Sequence, residues 1–72
     1  MDGEFEKVRR VLAENVRRLR TAKDLSQEDL AFEAEIDRTY VSQLERGVIN
    51  PSLLILTKVA GVLGVRVVDL LS

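Results

Sequence analysis

Signals that start and stop helices recur at short intervals in this chain, and they constrain its fold more than any other feature. Ser26 precedes an acidic turn, and Asp29 three residues later completes an approximate capping box. Further N-cap candidates and glycine stops follow in chain order at Asp37, Gly47, Ser52 and Gly64. These signals predict an all-α fold, a compact bundle of four to five short helices.

Apolar spacing supplies the helices between those signals. Steps of three and four residues define one helical stripe over about residues 4–22, formed by Phe5, Val8, Leu12, Val16 and Leu19. The capping signals then predict helices Gln27 to Ala34, Arg38 to Arg46 and Leu53 to Leu63. We expect the last of these, which is the fourth helix of the chain, to bury Leu53, Leu56, Ala60 and Leu63. Residues 65–72 are apolar and fit either one helical turn or an extended segment.

The residue types that are missing exclude several function classes. The 72 residues predict a single domain, 1–72, and they include no Cys and no His. A disulfide, a thiolate metal site and the usual neutral-pH proton shuttle are therefore absent. We expect no enzyme, no cofactor, no metal and no small-molecule ligand.

The same reading addresses location. The N-terminus is acidic where an export signal is basic, and the longest charge-free run, residues 47–57, is too short to span a bilayer. We therefore expect a cytoplasmic protein with no membrane partner.

Charge is distributed unevenly along the chain. Residues 1–23 carry seven basic and four acidic side chains, whereas residues 24–50 carry two basic and seven acidic ones. The formal net charge of the whole chain is -1, which is not the strongly basic balance typical of nucleic-acid binders. Any surface that binds DNA must therefore be local.

The third predicted helix has one polar and one apolar face. At about 100° per residue, one side carries Arg38, Thr39, Ser42, Gln43 and Arg46, and the opposite side carries Tyr40, Val41 and Leu44. Arg can read guanine, Gln can read adenine, and Ser or Thr can serve bases and phosphates. Two short helices joined by a tight turn form a helix-turn-helix at about residues 27–46. The pattern alone leaves DNA binding and an ordinary solvated helix face both open.

Several spaced motifs resemble one known family. The stretches are LSQEDLA at 25–31, IDRTYVSQLERG at 36–47, NPSL at 50–53 and LGV at 63–65. They resemble the phage-repressor and Cro type helix-turn-helix family, also called Xre, over about residues 12–70. Residues 28–42 are similar in particular to controller proteins of restriction-modification systems. The resemblance implies a lambda-repressor-like fold and a DNA-binding transcription regulator.

The resemblance also implies roles for individual residues. Gln27 would bind a phosphate. The side chains that would contact base edges or adjacent phosphates are Arg38, Thr39, Ser42 and Gln43. The DNA backbone would be contacted by Tyr40 and Arg46. Tyr40 has a second reading, in which its ring packs in the core. Arg20 would form a partly buried, structural ion pair with Glu45. Two positions depart from the family pattern, because Glu35 replaces a turn glycine and Arg66 replaces a capping Ser or Thr.

The C-terminal third has more apolar residues than one small core needs. Residues 48–72 include fifteen hydrophobic residues. We predict a homodimer interface on the fourth helix, formed by Leu54, Ile55, Lys58, Gly61 and Val62. A deeper core within one chain is the alternative. The expected partners are therefore double-stranded DNA and a second copy of the chain.

Other function classes remain as alternatives. An antitoxin-like or other protein-interaction module is favoured by the acidic middle third. The basic first helix also suggests binding at a membrane surface, although its apolar stripe fits a protein core better. A salt titration on random DNA separates these readings, because only a DNA binder weakens steeply with salt.

Overall fold

The computed structural model describes residues 2–72, and all regular structure in that range is helical. The helices are α1 Asp2–Ala22, α2 Gln27–Ala34, α3 Arg38–Arg46, α4 Leu53–Leu63 and α5 Val67–Leu71. The predicted bounds of α2, α3 and α4 are confirmed. The first helix begins two residues earlier than predicted, and the apolar C-terminal segment forms a short helix.

The N-terminal caps form as the sequence predicts. Ser26 Oγ accepts a hydrogen bond from the Asp29 amide at 2.9 Å, and the Asp29 carboxylate accepts one from the Ser26 amide at 2.9 Å. The hydrogen bond from the Ser26 amide, with a smaller contribution from the Ser26 side chain, lowers the pKa of the Asp29 carboxyl. Asp37 and Ser52 accept from the amides of Thr39 and Ile55 at 2.7 and 3.2 Å. Each such cap stabilises its helix by about 1 kcal/mol.

The core lies where the helices meet. Helix α1 packs on α3 and α5, α2 packs on α3 and α4, and α4 packs on α5. The largest fully buried side chains come from every helix and are Val16, Leu30, Val41, Leu44, Val59 and Leu70. Burial of each stabilises the fold by about 1.5–3 kcal/mol. The buried alanines of α2, Ala31 and Ala34, allow the close approach of neighbouring helices.

Two expected core residues lie at the surface instead. Leu53 is 74% exposed, whereas Val59, which was not among the expected core residues, is buried. Leu53 is the first residue of α4, where a side chain tilts back past the helix start and misses the core. Phe5 lies in the first turn of α1, at one end of the fold, and is 46% exposed. The Arg9 guanidinium covers its ring at 5.0 Å.

The turn between α2 and α3 has the left-handed backbone that the resemblance implies. Glu35 has φ 58° and ψ 46°, a conformation that favours glycine. Two backbone hydrogen bonds fix the turn: the Glu35 amide donates to the Phe32 carbonyl at 3.2 Å, and the Ile36 amide donates to the Ala31 carbonyl at 2.9 Å. Asp24, before α2, is a second left-handed residue with φ 58°, and nothing in the sequence pattern singles it out.

Helix α5 begins without a capping hydroxyl. The Arg66 side chain has no acceptor, but its amide donates to the Asp69 carboxylate at 2.9 Å. Asn15 of α1 donates to the Leu70 carbonyl at 3.0 Å, which fastens the end of α5 to the first helix. The departure at Arg66 therefore leaves half of a capping box at the start of this five-residue helix.

Within residues 2–72, none of the helices has the length and apolar character that crossing a bilayer requires.

Candidate nucleic-acid interface

Helix α3 packs against the rest of the protein with one face and exposes the opposite face to solvent. Val41, Leu44 and Glu45 are buried against the neighbouring helices. The outward face has three exposed side chains, Arg38, Thr39 and Arg46, and two half-buried ones, Ser42 and Gln43. Tyr40 is also half-buried, so its ring is neither fully packed nor free. The helix therefore offers donors and acceptors on a rigid support.

Four of the seven predicted DNA-contact residues meet at one place. A shallow depression of 230 Å³ is lined by Gln27, Arg38, Thr39 and Ser42. It joins the first residue of α2 to the first turns of α3. The depression is open and all four of its lining residues have polar or charged side chains, which suits contact with an extended, hydrated ligand.

The remaining predicted contacts lie outside this depression. Tyr40 and Gln43 do not line it. Arg46 lies in a separate groove of 370 Å³ between α1 and the end of α3, which also includes Arg9 and Arg10. Glu6, Glu14 and Glu45 line the same groove, so charged side chains of both signs continue the polar surface beyond the last turn of α3.

A buried ion pair supports the outward face from behind. Arg20 Nε and Nη2 donate to the two carboxylate oxygens of Glu45 at 2.6 and 3.0 Å, in the two-pronged geometry that Arg favours. Arg20 Nη1 also donates to the Leu25 carbonyl at 2.7 Å. The pair that the resemblance implies is therefore present, and it connects α1, α3 and the loop before α2.

The same carboxylate also contacts two side chains at the surface. Gln27 Nε2 donates to Glu45 Oε1 at 3.1 Å, and Arg17 Nε lies 3.6 Å from that oxygen. The Gln27 amide therefore has a fixed orientation, with one N–H and its carbonyl oxygen left for a ligand. Glu45 thus links the core ion pair to a predicted phosphate-binding residue.

These contacts keep Glu45 ionised. Burial on its own would raise the pKa of Glu45, but hydrogen bonds from Arg20 and Gln27 and the charges of Arg20 and Arg17 outweigh it, so the pKa lies below its ordinary value. The hydrogen bond to Glu45 likewise raises the pKa of Arg20. Glu45 and Arg20 are both charged at neutral pH. With Arg17, the cluster around the Glu45 carboxylate therefore has two cations and one anion.

The predicted dimer face occupies one sector of α4. Leu54 and Gly61 are exposed and Lys58 is half-buried, on the side opposite the buried Leu56 and Val59. The other two members, Ile55 and Val62, also pack against the core of their own chain. The five residues form a continuous face, but only part of its apolar surface is exposed to solvent.

Sequence reasoning missed the role of Arg17 and the bond between Gln27 and Glu45. Arg17 stands three residues before Arg20, a spacing that places both on neighbouring positions of one helix face. That spacing was the available signal for Arg17. The bond from Gln27 joins residues 18 apart, and no local pattern indicates it.

Comparisons with known proteins agree with this geometry. A helix-turn-helix family model matches residues 16–70. The control protein C.BamHI of Bacillus amyloliquefaciens is 45% identical over 66 residues, 90% of this chain and 82% of that protein. The restriction-modification controller protein C.AhdI of Aeromonas hydrophila has a solved structure with 44% identity and a TM-score of 0.83, covering 86% of this chain and 94% of that one.

A third similar structure includes DNA. The biofilm master regulator SinR in complex with DNA is 35% identical, with a TM-score of 0.82, covering 85% of this chain and 98% of that one. The family match, the controller-protein relatives and the fold agree with one another. The chain therefore belongs to the Xre-type helix-turn-helix family of DNA-binding transcription regulators, and within it to the controller-protein type.

Proposed function

We propose that this protein is a cytoplasmic, sequence-specific transcription regulator that binds a palindromic operator as a homodimer and controls genes of a restriction-modification system. The observation that carries the proposal is the depression where Gln27, Arg38, Thr39 and Ser42 meet. In this depression the Gln27 amide, for which we propose a phosphate contact, lies beside side chains of the types that read base edges. The restriction-modification context rests on the likeness to C.BamHI and C.AhdI.

Each contact has a distinct role in this proposal. Arg38, at the start of α3, donates two parallel hydrogen bonds to guanine. Thr39, Ser42 and Gln43 read adjacent edges or phosphates, and Tyr40 and Arg46 contact the backbone. Gln27 binds a phosphate with the N–H that Glu45 does not occupy. The phosphate contacts set the register, and the base contacts set the sequence.

Dimerisation through Leu54, Ile55, Lys58, Gly61 and Val62 supplies the second half-site. A two-fold dimer presents two copies of α3 to the same side of the duplex. Half-sites one helical turn apart, about 34–36 Å, fit that arrangement.

Selection from a library of random duplexes tests the proposal. The expected product is an inverted repeat that binds the wild type about a thousandfold or more tighter than random DNA. The wild type is then assayed on a reporter that carries the selected repeat at its promoter, with the half-sites scrambled as the control. Enrichment of no sequence, or of a single unrepeated half-site, would contradict the proposal.

A protein-interaction module is the second candidate, and one observation favours it. Phe32 on α2 is 83% exposed, and acidic side chains at Glu28, Asp29, Glu33 and Glu35 lie beside it on the same short helix or at its end. An exposed aromatic ring among carboxylates suits a basic protein partner better than DNA. A titration of random duplex with salt decides between the two, since a pure interaction module binds no DNA at any salt concentration.

A further inference from the structure

Arg17 lies at the border between the core ion pair and the surface of α3. Its Nε is 3.6 Å from Glu45 Oε1, and its side chain is 60% exposed. The Glu45 side chain itself is fully buried. Arg17 therefore approaches the buried carboxylate from the solvent side, with more than half of its side chain exposed.

The charge of Glu45 is already balanced without Arg17. Arg20 engages both carboxylate oxygens, at 2.6 and 3.0 Å, and its own side chain is only 15% exposed. Since one buried cation compensates the one buried anion, the positive charge of Arg17 is in excess. A guanidinium in this position attracts an anion from solution.

The position of Arg17 identifies which anion. Gln27 Nε2 bonds the same Glu45 oxygen at 3.1 Å, so the heads of Arg17 and Gln27 are neighbours. Gln27 in turn lines the depression with Arg38, Thr39 and Ser42. A duplex bound in this depression with a phosphate at Gln27 would have that phosphate within reach of Arg17.

We propose that Arg17 and Gln27, oriented by the buried Glu45, form a binding site for a DNA backbone phosphate, with Arg17 supplying its charge. This inference rests on the proposed DNA binding of α3. The site gives affinity without sequence preference, because phosphates carry no direct sequence information. It also places part of the DNA surface on α1.

The dependence of binding on salt measures such a contact. Each phosphate neutralised by a protein cation contributes about 0.9 to the slope of log K against log salt concentration. We therefore expect Arg17→Gln to lower this slope by about 0.9 per bound protomer. Between about 50 and 200 mM salt, the wild type should lose about threefold more affinity per protomer than the variant. The loss at low salt should be equal on a selected duplex and on random duplex.

Arg18→Gln is the matched control. Arg18 donates to Asn15, and Asn15 bonds the backbone of α5, so Arg18 lies on the side of α1 that faces α5. The control removes the same charge from the adjacent position and should leave the slope unchanged. Arg17→Lys keeps the charge and should restore the wild-type slope.

The possible outcomes separate this inference from the proposed function. A wild type that binds neither duplex refutes DNA binding itself and with it the site. A wild type that binds, with equal slopes for Arg17→Gln and the wild type, refutes only the phosphate site. Equal slope losses for Arg17→Gln and Arg18→Gln would show a general charge effect and would also overturn it. Thermal melts establish that each variant is folded.

Discussion

Arg38 is the residue on which sequence recognition by α3 should depend most. It is exposed at the first position of the helix and makes no core contact, so its removal leaves the fold intact. We expect Arg38→Ala to weaken binding to the selected duplex by about 1–3 kcal/mol, because one two-pronged contact to guanine is lost. Binding to random duplex should change little, and competition titrations on the two DNAs measure both quantities.

Arg46→Ala is the comparison for that variant. A backbone contact at Arg46 predicts equal losses on the selected and random duplexes. If Arg38→Ala also weakens both DNAs equally, Arg38 contacts phosphate and the base-reading role belongs elsewhere on α3.

Glu45 makes the stability of the fold depend on pH in the acidic range. The pKa of Glu45 lies below its ordinary value, so at acidic pH the unfolded chain binds a proton that the folded chain does not. The stability from this group is complete above its ordinary pKa of about 4.3 and is lost as the pH falls through the lower folded value. We expect the free energy of unfolding to decline below about pH 4.3.

Glu45→Gln tests this assignment by urea unfolding between pH 7 and 3. At pH 7 the variant should be less stable by about 3 kcal/mol, since Arg20 is left without a charged partner. That difference should narrow as the pH falls, because the wild type loses the same charge. Other carboxyl groups, including Asp29, contribute to both proteins and cancel. A difference that stays constant down to pH 3 would assign the acid sensitivity to another group.

At the scale of the element, the turn between α2 and α3 stores local strain. Glu35 has φ 58° without being glycine. We expect Glu35→Gly to relieve about 1 kcal/mol of steric strain, partly offset by the entropy that glycine adds to the unfolded chain. The variant should melt no lower than the wild type. It should also bind DNA at least as tightly at low salt, because an acid beside α3 is removed, and this gain should shrink as salt rises.

Asp24→Gly provides the internal standard for that experiment. Asp24 has the same φ of 58°, but Asp tolerates the left-handed region better than Glu. Its gain in melting temperature should therefore be smaller. A clear fall in melting temperature for Glu35→Gly alone would mean that the Glu35 side chain makes a stabilising contact that outweighs its strain.

The elements also show what the sequence can and cannot predict. The bounds of α2, α3 and α4 were predictable because caps such as Ser26 and Gly64 act on residues three or four positions away. The exposure of Leu53 was not, since it depends on where the core ends. The hydrogen bond from Gln27 to Glu45 was also not predictable from the sequence, because it depends on how α2 and α3 are arranged in space. The polar face of α3 was predictable from the spacing of its residues, whereas the approach of Arg17 to Glu45 was not.

At the scale of the whole molecule, the exposed part of the α4 face tests the dimer. Leu54 is 63% exposed, so a substitution there leaves the core of the chain intact. Ile55 is a poorer choice because it also packs against that core. We expect Leu54→Glu to be monomeric, because two like charges would meet across the two-fold axis. Sedimentation velocity at micromolar concentration measures the state, and operator affinity should fall with it.

Phe32→Glu is the control for the dimer experiment. It makes the same kind of change at the most exposed of the large hydrophobic side chains, on α2 and outside the predicted interface. It should leave the oligomeric state unchanged. A folded wild type that sediments as a monomer would refute the dimer, and a dimer that survives Leu54→Glu would place the interface on another surface.

The division of α3 into two faces has a consequence for changing what the protein recognises. Val41, Leu44 and Glu45 hold the helix in place, whereas Arg38 and Thr39 contribute nothing to the buried core. If the outward positions bind DNA as proposed, recognition and folding depend largely on separate positions within the nine residues of α3. A library that varies only the outward positions should retain the melting temperature of the parent in nearly all members. Substitutions at the outward positions of α3 should therefore give regulators with new operators on an unchanged scaffold.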